Sequence, residues 1–245
     1  MDETLLDGLK RLKLRQTRDH LEELCRVAST RDLTFHAFLK MVVTEEITAR
    51  DETQRAKRLR AARLPAPKTL QAFDWAWQPG LPKREILELQ TLQFVDRHTN
   101  VILLGPPGLG KTHSANALAY EAVVQGRSVL FTTAQDLVDR RYAAMADGTV
   151  KQTLRALGKL DLLVVDELGY LPMDTTAGNH LFQVVSGAYE RQSLIVTSNR
   201  SFQDWGALFP NPSLASATLD RLLHHAVVYT FCGDSYRMKG GSTSL

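Results

Sequence analysis

Residues 101–112 constrain this chain most: the apolar run Val101-Ile102-Leu103-Leu104 breaks into GPPGLGKT and then into the helix-compatible HSANALAYEA. A buried strand, a Gly-rich turn and a helix starting at that turn make a P-loop. Gly105, Gly108 and Gly110 lack a Cβ, so the backbone can take positive φ and bring its N–H groups around a β-phosphate. The helix that begins near Lys111 adds the positive end of its dipole. Lys111 is expected between the β- and γ-phosphates, with the Thr112 hydroxyl as one ligand of an octahedral Mg²⁺. Pro106, Pro107, Leu109 and His113 complete the turn expected to hold ATP.

A second acidic signature lies downstream. In LDLLVVDE (160–167) four apolar residues in a row are bounded by acids, as in a fully covered parallel strand whose carboxylates project at its C-terminal end. Joined to a P-loop, this is the Walker B arrangement. Asp166 is expected to hold Mg²⁺, directly or through water, and Glu167 to polarise the attacking water. Asn199 ends the next apolar run, SLIVTSN (193–199), and either orients that water or serves as a turn residue. Arg221 and Arg237 can each answer γ-phosphate charge, although a lone arginine is more often a surface ion-pair partner.

From residue 100 to 232, strand-like and helix-like segments alternate. Strands are expected at 101–104, 128–132, 160–167, 193–199 and 226–232, with helices at 134–158, broken at Asp147-Gly148, and at 175–191 and 214–224. The pattern predicts an α/β P-loop NTPase with a parallel five-stranded sheet flanked by helices. Ahead of it, helices are expected at 4–28 and 33–64, forming a small all-α unit with too little core to stand alone. A Pro-rich connector, 65–82, carries Phe73, Trp75 and Trp77, and a helix over 83–97 leads into the first strand. The domains therefore read as 1–64, 65–82 and 83–245. Aromatics in a linker are expected to dock on a neighbouring surface rather than to stack on bases.

Net charge is only +3, so composition does not announce a nucleic-acid binder. Its distribution is more informative: residues 54–68 carry six basic residues and no acid, which suits either a phosphate backbone or a solvated helix face. No apolar run approaches the ~20 residues of a membrane span, and the first residues lack the apolar core of a signal peptide, so a cytoplasmic protein without a membrane partner is expected. Cys25 and Cys232 are too few for a disulfide framework or a metal knuckle and are expected to be buried small hydrophobes.

Five blocks in order, GPPGLGKT, LLVVDELGYLP (162–172), VTSNRSFQDW (196–205), TLDRLLHHAVV (218–228) and GDSYR (233–237), resemble the insertion-sequence ATP-binding proteins of the IstB type. These are relatives of the DnaC helicase loaders within the AAA+ ATPases. The resemblance covers nearly the whole chain, including the N-terminal helices. It implies ATP at a subunit interface of a homo-oligomer, Asn199 as sensor 1, Arg221 as a trans-acting finger and Arg237 as sensor 2. It also implies a role beside a cognate transposase on duplex DNA, and no separate helical lid. By the same resemblance, 134–158 is an extra helical insertion lining a nucleic-acid channel, where Arg140, Arg141 and Lys151 can bind phosphates without reading bases. The rival readings are a DnaC-type replicative helicase loader, a metabolic P-loop kinase and a nucleotide-gated scaffold with negligible turnover.

Overall fold

A computed structural model describes residues 3–170, 173–209, 211–233, 235 and 236, and the chain divides into two compact units, 1–57 and 58–245. Helices α1 (Glu3–Arg11), α2 (Arg15–Asp19), α3 (Leu21–Thr30) and the first part of α4 (Phe35–Ala62) build the N-terminal unit. The single helix expected over 4–28 is instead three. Lys13 takes φ +57, the Lys13 N–H bonds to the Lys10 carbonyl, and the Leu14 N–H reaches back to the Leu9 carbonyl at 2.9 Å. That is a Schellman stop built on lysine where glycine usually sits. Glu46 of α4, 5% exposed, accepts from the Thr17 N–H (3.0 Å) and the Thr17 hydroxyl (3.2 Å), and Arg50 donates to it at 3.1 Å.

In the second unit a strap, 65–82, leads to α5 (Lys83–Glu88) and α6 (Gln93–Asp96). The helix expected over 83–97 is interrupted by a 3₁₀ turn and by Leu92 at φ +59. Strand β1 (Asn100–Leu104), α7 (Lys111–Val124), β2 (Val129–Thr133), α8 (Ala134–Ala146), α9 (Val150–Leu157), β3 (Leu162–Leu168), α10 (Thr175–Ala188) and β4 (Ser193–Ser198) follow. A short helix, α11 (Phe202–Trp205), then α12 (Pro212–Leu223) and β5 (Ala226–Thr230) complete the order. Gly126 (φ +90) ends α7, and the break between α8 and α9 falls at Asp147-Gly148 as expected. Helix α11 had no periodicity to announce it; a capping box of Ser201 and Asp204 starts it.

The sheet runs β2-β3-β4-β1-β5, and every described pairing is parallel. Period-two alternation assigns its two faces. Val101, Leu103, Phe131, Val164 and Ile195 face a core with α7 and the strap residues Leu70, Phe73 and Leu81, whereas Ile102, Leu104, Leu163, Val165 and Val196 face one with α10 and α12. Both faces are covered, which is why the strands read as unbroken apolar runs. Cys25 and Cys232 are exposed, contrary to the expectation that free cysteines are buried: Cys25 lies on the outer side of α3, and Cys232 follows β5 at an edge of the sheet. No helix among the described residues is long and apolar enough to cross a membrane.

Asn100 joins three elements. Its backbone N–H meets the His225 carbonyl at 2.7 Å, its amide donates to the Leu222 carbonyl at 2.9 Å, and its Oδ1 accepts from the Leu194 N–H at 2.9 Å. Asn100→Ala strands a buried N–H and a buried carbonyl, so a loss of about 3 kcal/mol is expected, read as a fall of roughly 5–10 °C in Tm by calorimetry. Glu46 supplies a pH test. Burial pushes its carboxyl up, but the Thr17 N–H, Arg50 and the Thr17 hydroxyl outweigh it and hold the group below the ordinary carboxylate value of 4.5. A depressed folded pKa gives stability that is present above 4.5 and lost as pH falls through the lower, folded value. Glu46→Gln is therefore expected to destabilise the chain by about 1–3 kcal/mol at pH 7, with the gap to the parent closing in acid unfolding titrations.

Candidate nucleotide-binding site

Because all five strands run the same way, their C-terminal ends share one edge, and the sequence places its polar signatures there. β1 passes into the P-loop, where the Gly105 N–H bonds to the Ser198 carbonyl at the end of β4 at 3.1 Å. Gly105 sits at φ +134, and a Cβ there would strike the Phe231 carbonyl. Gly110 at φ +94 precedes α7, and a Cβ there would strike the Phe73 ring of the strap. Two of the glycines are thus required both by backbone conformation and by close approach.

Lys111 is buried, and its Nζ donates at 2.6 Å to both the Gly105 and Pro106 carbonyls, so the loop wraps its own ammonium. Thr112 Oγ1 donates to Asp166 Oδ1 at 3.0 Å, and the Thr197 hydroxyl donates to the same oxygen. A hydroxyl beside a carboxylate, both at the mouth of the P-loop, is a hard oxygen donor set that fits Mg²⁺.

Glu167, next to Asp166, behaves differently. The pairing of β3 with β4 slips between Val165 and Leu168, and Glu167 takes φ +60, left-handed for a residue with a side chain. The bulge leaves Asp166 buried and Glu167 exposed at the cavity wall, with the Glu167 N–H held by Thr197 Oγ1 at 3.0 Å. Asn199, exposed just beyond β4, lines the same cavity of about 950 Å³.

The other wall is the strap, whose part in this cavity no sequence motif announces. Asn116 of α7 donates to the Ala66 carbonyl at 2.7 Å, and His113 Nε2 meets the Thr69 carbonyl at 2.9 Å. Phe73 meets His113 edge-on at 5.4 Å, and Trp77, lining the cavity, meets Tyr236 edge-on at 5.8 Å. The Tyr236 N–H donates to the Gly108 carbonyl at 2.9 Å, so the segment after β5 also reaches the loop. The available signal was the aromatic density of the connector.

Of the expected arginines, Arg221 lies away from this cavity. Arg221 is at the end of α12, its Nη1 donating to the Ala217 carbonyl at 3.0 Å and its guanidinium 5.1 Å from the Phe182 ring. It shares a small pocket with His98 and Asn100 at the start of β1, the sheet edge opposite the P-loop. Arg237 lies outside the described residues. Arg140, Arg141 and Lys151 have different surroundings. Arg140 is half-buried, with burial and then the nearby Arg63 lowering its pKa. Arg141 has Nε and Nη1 buried with no hydrogen-bond partner among the described residues. His180 on α10 is held down to about 4 by burial and then by Arg141. Lys151, on α9, is exposed.

The chain is similar to known proteins over nearly its whole length. A family profile described as IstB-like ATP binding protein matches residues 7–244. The ATP-binding protein of insertion sequence IS21 from Pseudomonas aeruginosa is 42% identical over 231 residues, covering 94% of this chain and 87% of the relative. That of insertion sequence IS5376 from Geobacillus stearothermophilus is 37% identical over 239 residues, covering 98% and 95%. Among solved structures, replication initiator DnaA bound to AMPPCP and single-stranded DNA superposes with TM-score 0.60 at 22% identity, over 72% of this chain and 54% of that one. DnaI does so with TM-score 0.58 at 19%, over 67% and 91%. At such identities these likenesses speak for the fold alone, which is that of the AAA+ P-loop proteins. The chain belongs to the family of IstB-like ATP-binding proteins and is an ATPase with the AAA+ fold.

Proposed function

We propose that this protein is an ATP- and Mg²⁺-dependent oligomer that assembles on duplex DNA, largely through the phosphate backbone, and helps a transposase select and engage its target. Its family and its relatives in insertion sequences support the transposition context. The observation that carries the oligomeric reading is the place of Arg221. It sits beside the start of β1, whereas the P-loop leaves the end of that strand, ~13 Å further along. An arginine there is poorly placed for its own nucleotide and suited to a neighbour's.

In this reading Thr112 and Asp166 would hold Mg²⁺, which would supply positive charge against that of the phosphates. Lys111 exchanges its two carbonyl partners for phosphate oxygens. Glu167 takes a proton from the attacking water, Asn199 orients that water, and water oxygen bonds to the γ-phosphorus as the bond to the bridging oxygen breaks. Arg221 of the next protomer answers the charge that develops, with Arg237 contributing in cis. Hydrolysis ends the assembled state.

The N-terminal unit is the proposed partner surface. Phe35, Leu39, Val43 and Ile47, spaced by four along α4, are all exposed, and Phe35 is 96% so. Such a stripe is the mark of a helix face that meets another protein.

Lys111→Ala is expected to abolish ATP binding in equilibrium titration. Glu167→Gln should keep binding, cut hydrolysis by at least ~100-fold and lengthen the lifetime of DNA complexes. Equal turnover by Glu167→Gln and the parent would contradict its role. Arg221→Ala should bind ATP with the parent's affinity yet lose ~10³-fold or more in kcat. Loss of binding with kcat intact would instead point to a structural part for this arginine.

A further inference from the structure

The end of α12 and the end of α10 bring together side chains that the ATPase chemistry leaves unused. Glu190 follows α10 at φ +57, while His224 and His225 close α12 and enter β5. One donor atom from each of the three lies within 4.8 Å of the others, and all three residues are exposed. His225 Nε2 is 3.8 Å from Glu190 Oε1, the two imidazole centroids are 4.3 Å apart, and the Tyr189 hydroxyl is 3.1 Å from His224 Nδ1. We propose that Glu190, His224 and His225 form a binding site for a borderline divalent cation of the Zn²⁺ class.

The donor set argues for that class. Two imidazoles and one carboxylate suit zinc, which accepts three protein ligands and keeps a fourth position for water. Ligands on a tetrahedral zinc stand roughly 3.4 Å apart, so the Glu190 to His225 separation is already close and small rotations of exposed side chains complete the set. As an ion pair between exposed groups the same contact contributes little, and it gives His224 no acid to meet. The neighbouring pocket, about 10 Å³, has room for a single water or ion, and it is lined by Gln192, whose Oε1 is buried with no hydrogen-bond partner among the described residues. Tyr189 stands where an outer hydrogen bond can fix the orientation of the His224 ring.

The ion would tie the end of α10 to that of α12, one turn beyond Arg221. That consequence, though not the binding itself, rests on Arg221 acting on a neighbouring protomer's nucleotide.

The test is calorimetric titration of the full chain with Zn²⁺, without nucleotide and in excess Mg²⁺ to occupy oxygen-donor sites. One equivalent is expected to bind with roughly micromolar affinity and to raise Tm. Glu190→Gln should weaken it at least ~10-fold, and His224→Gln with His225→Gln should remove it. ATP binding by each variant serves as the check that it is folded. Arg221→Ala should bind zinc like the parent, so failure of the trans-acting reading and failure of this site give different results. Absence of a stoichiometric event in the parent, or equal zinc affinity in parent and folded variants, would overturn the proposal.

Discussion

Parallel pairing in all four ladders of the sheet is the constraint from which the rest follows. It gathers the ends of β1, β3 and β4 at one edge, so that Lys111, Glu167 and Asn199, far apart in sequence, line a single cavity, with Asp166 buried behind its wall residues Thr112 and Thr197. It also sends the chain back to the opposite edge before every strand, and there α12 ends, with Arg221 beside the first residue of β1. One topology thus assembles most of a phosphoryl-transfer site and withholds from it the arginine that the proposed mechanism requires.

The inner polar groups satisfy one another. Lys111 is wrapped by two carbonyls of its own loop, and Asp166 takes hydroxyl protons from Thr112 and Thr197. These are the groups that phosphate and Mg²⁺ would engage, so in the proposed cycle binding exchanges internal bonds for charge-assisted ones. Glu167 joins this network only through its backbone N–H on Thr197, and the bulge leaves the residue exposed at the cavity beside the buried aspartate. A left-handed glutamate in a strand carries a local backbone cost, in keeping with the role proposed for Glu167.

Much of this was legible in the sequence, for physical reasons that can be named. Strands covered on both faces read as apolar runs, and glycine or an Asp-Gly pair marked the end of α7 and the α8–α9 break. What escaped was set by backbone conformations with no residue signature: Lys13 and Leu92 in left-handed turns split helices that periodicity joins. The site was legible as motifs but not as a volume. Residues 65–82 read as a connector whose aromatics dock on a neighbouring surface; Leu70 and Phe73 are buried in the core and Trp77 walls the cavity, and which surface receives them is a tertiary outcome that local pattern does not specify. Arg140 and Arg141 are adjacent in sequence, but one is set beside Arg63 and the other beside His180.

The central claim is that one protomer's nucleotide is completed by the next protomer's Arg221. The most direct test is complementation: Lys111→Ala protein, which cannot hold nucleotide but still presents Arg221, is mixed on DNA with Arg221→Ala protein, which holds nucleotide but presents no finger. Each alone should be nearly inactive, and the mixture should recover hydrolysis in proportion to the interfaces that pair an intact loop with an intact arginine. A mixture no more active than its components would contradict the account, as would full activity from the Arg221→Ala protein alone.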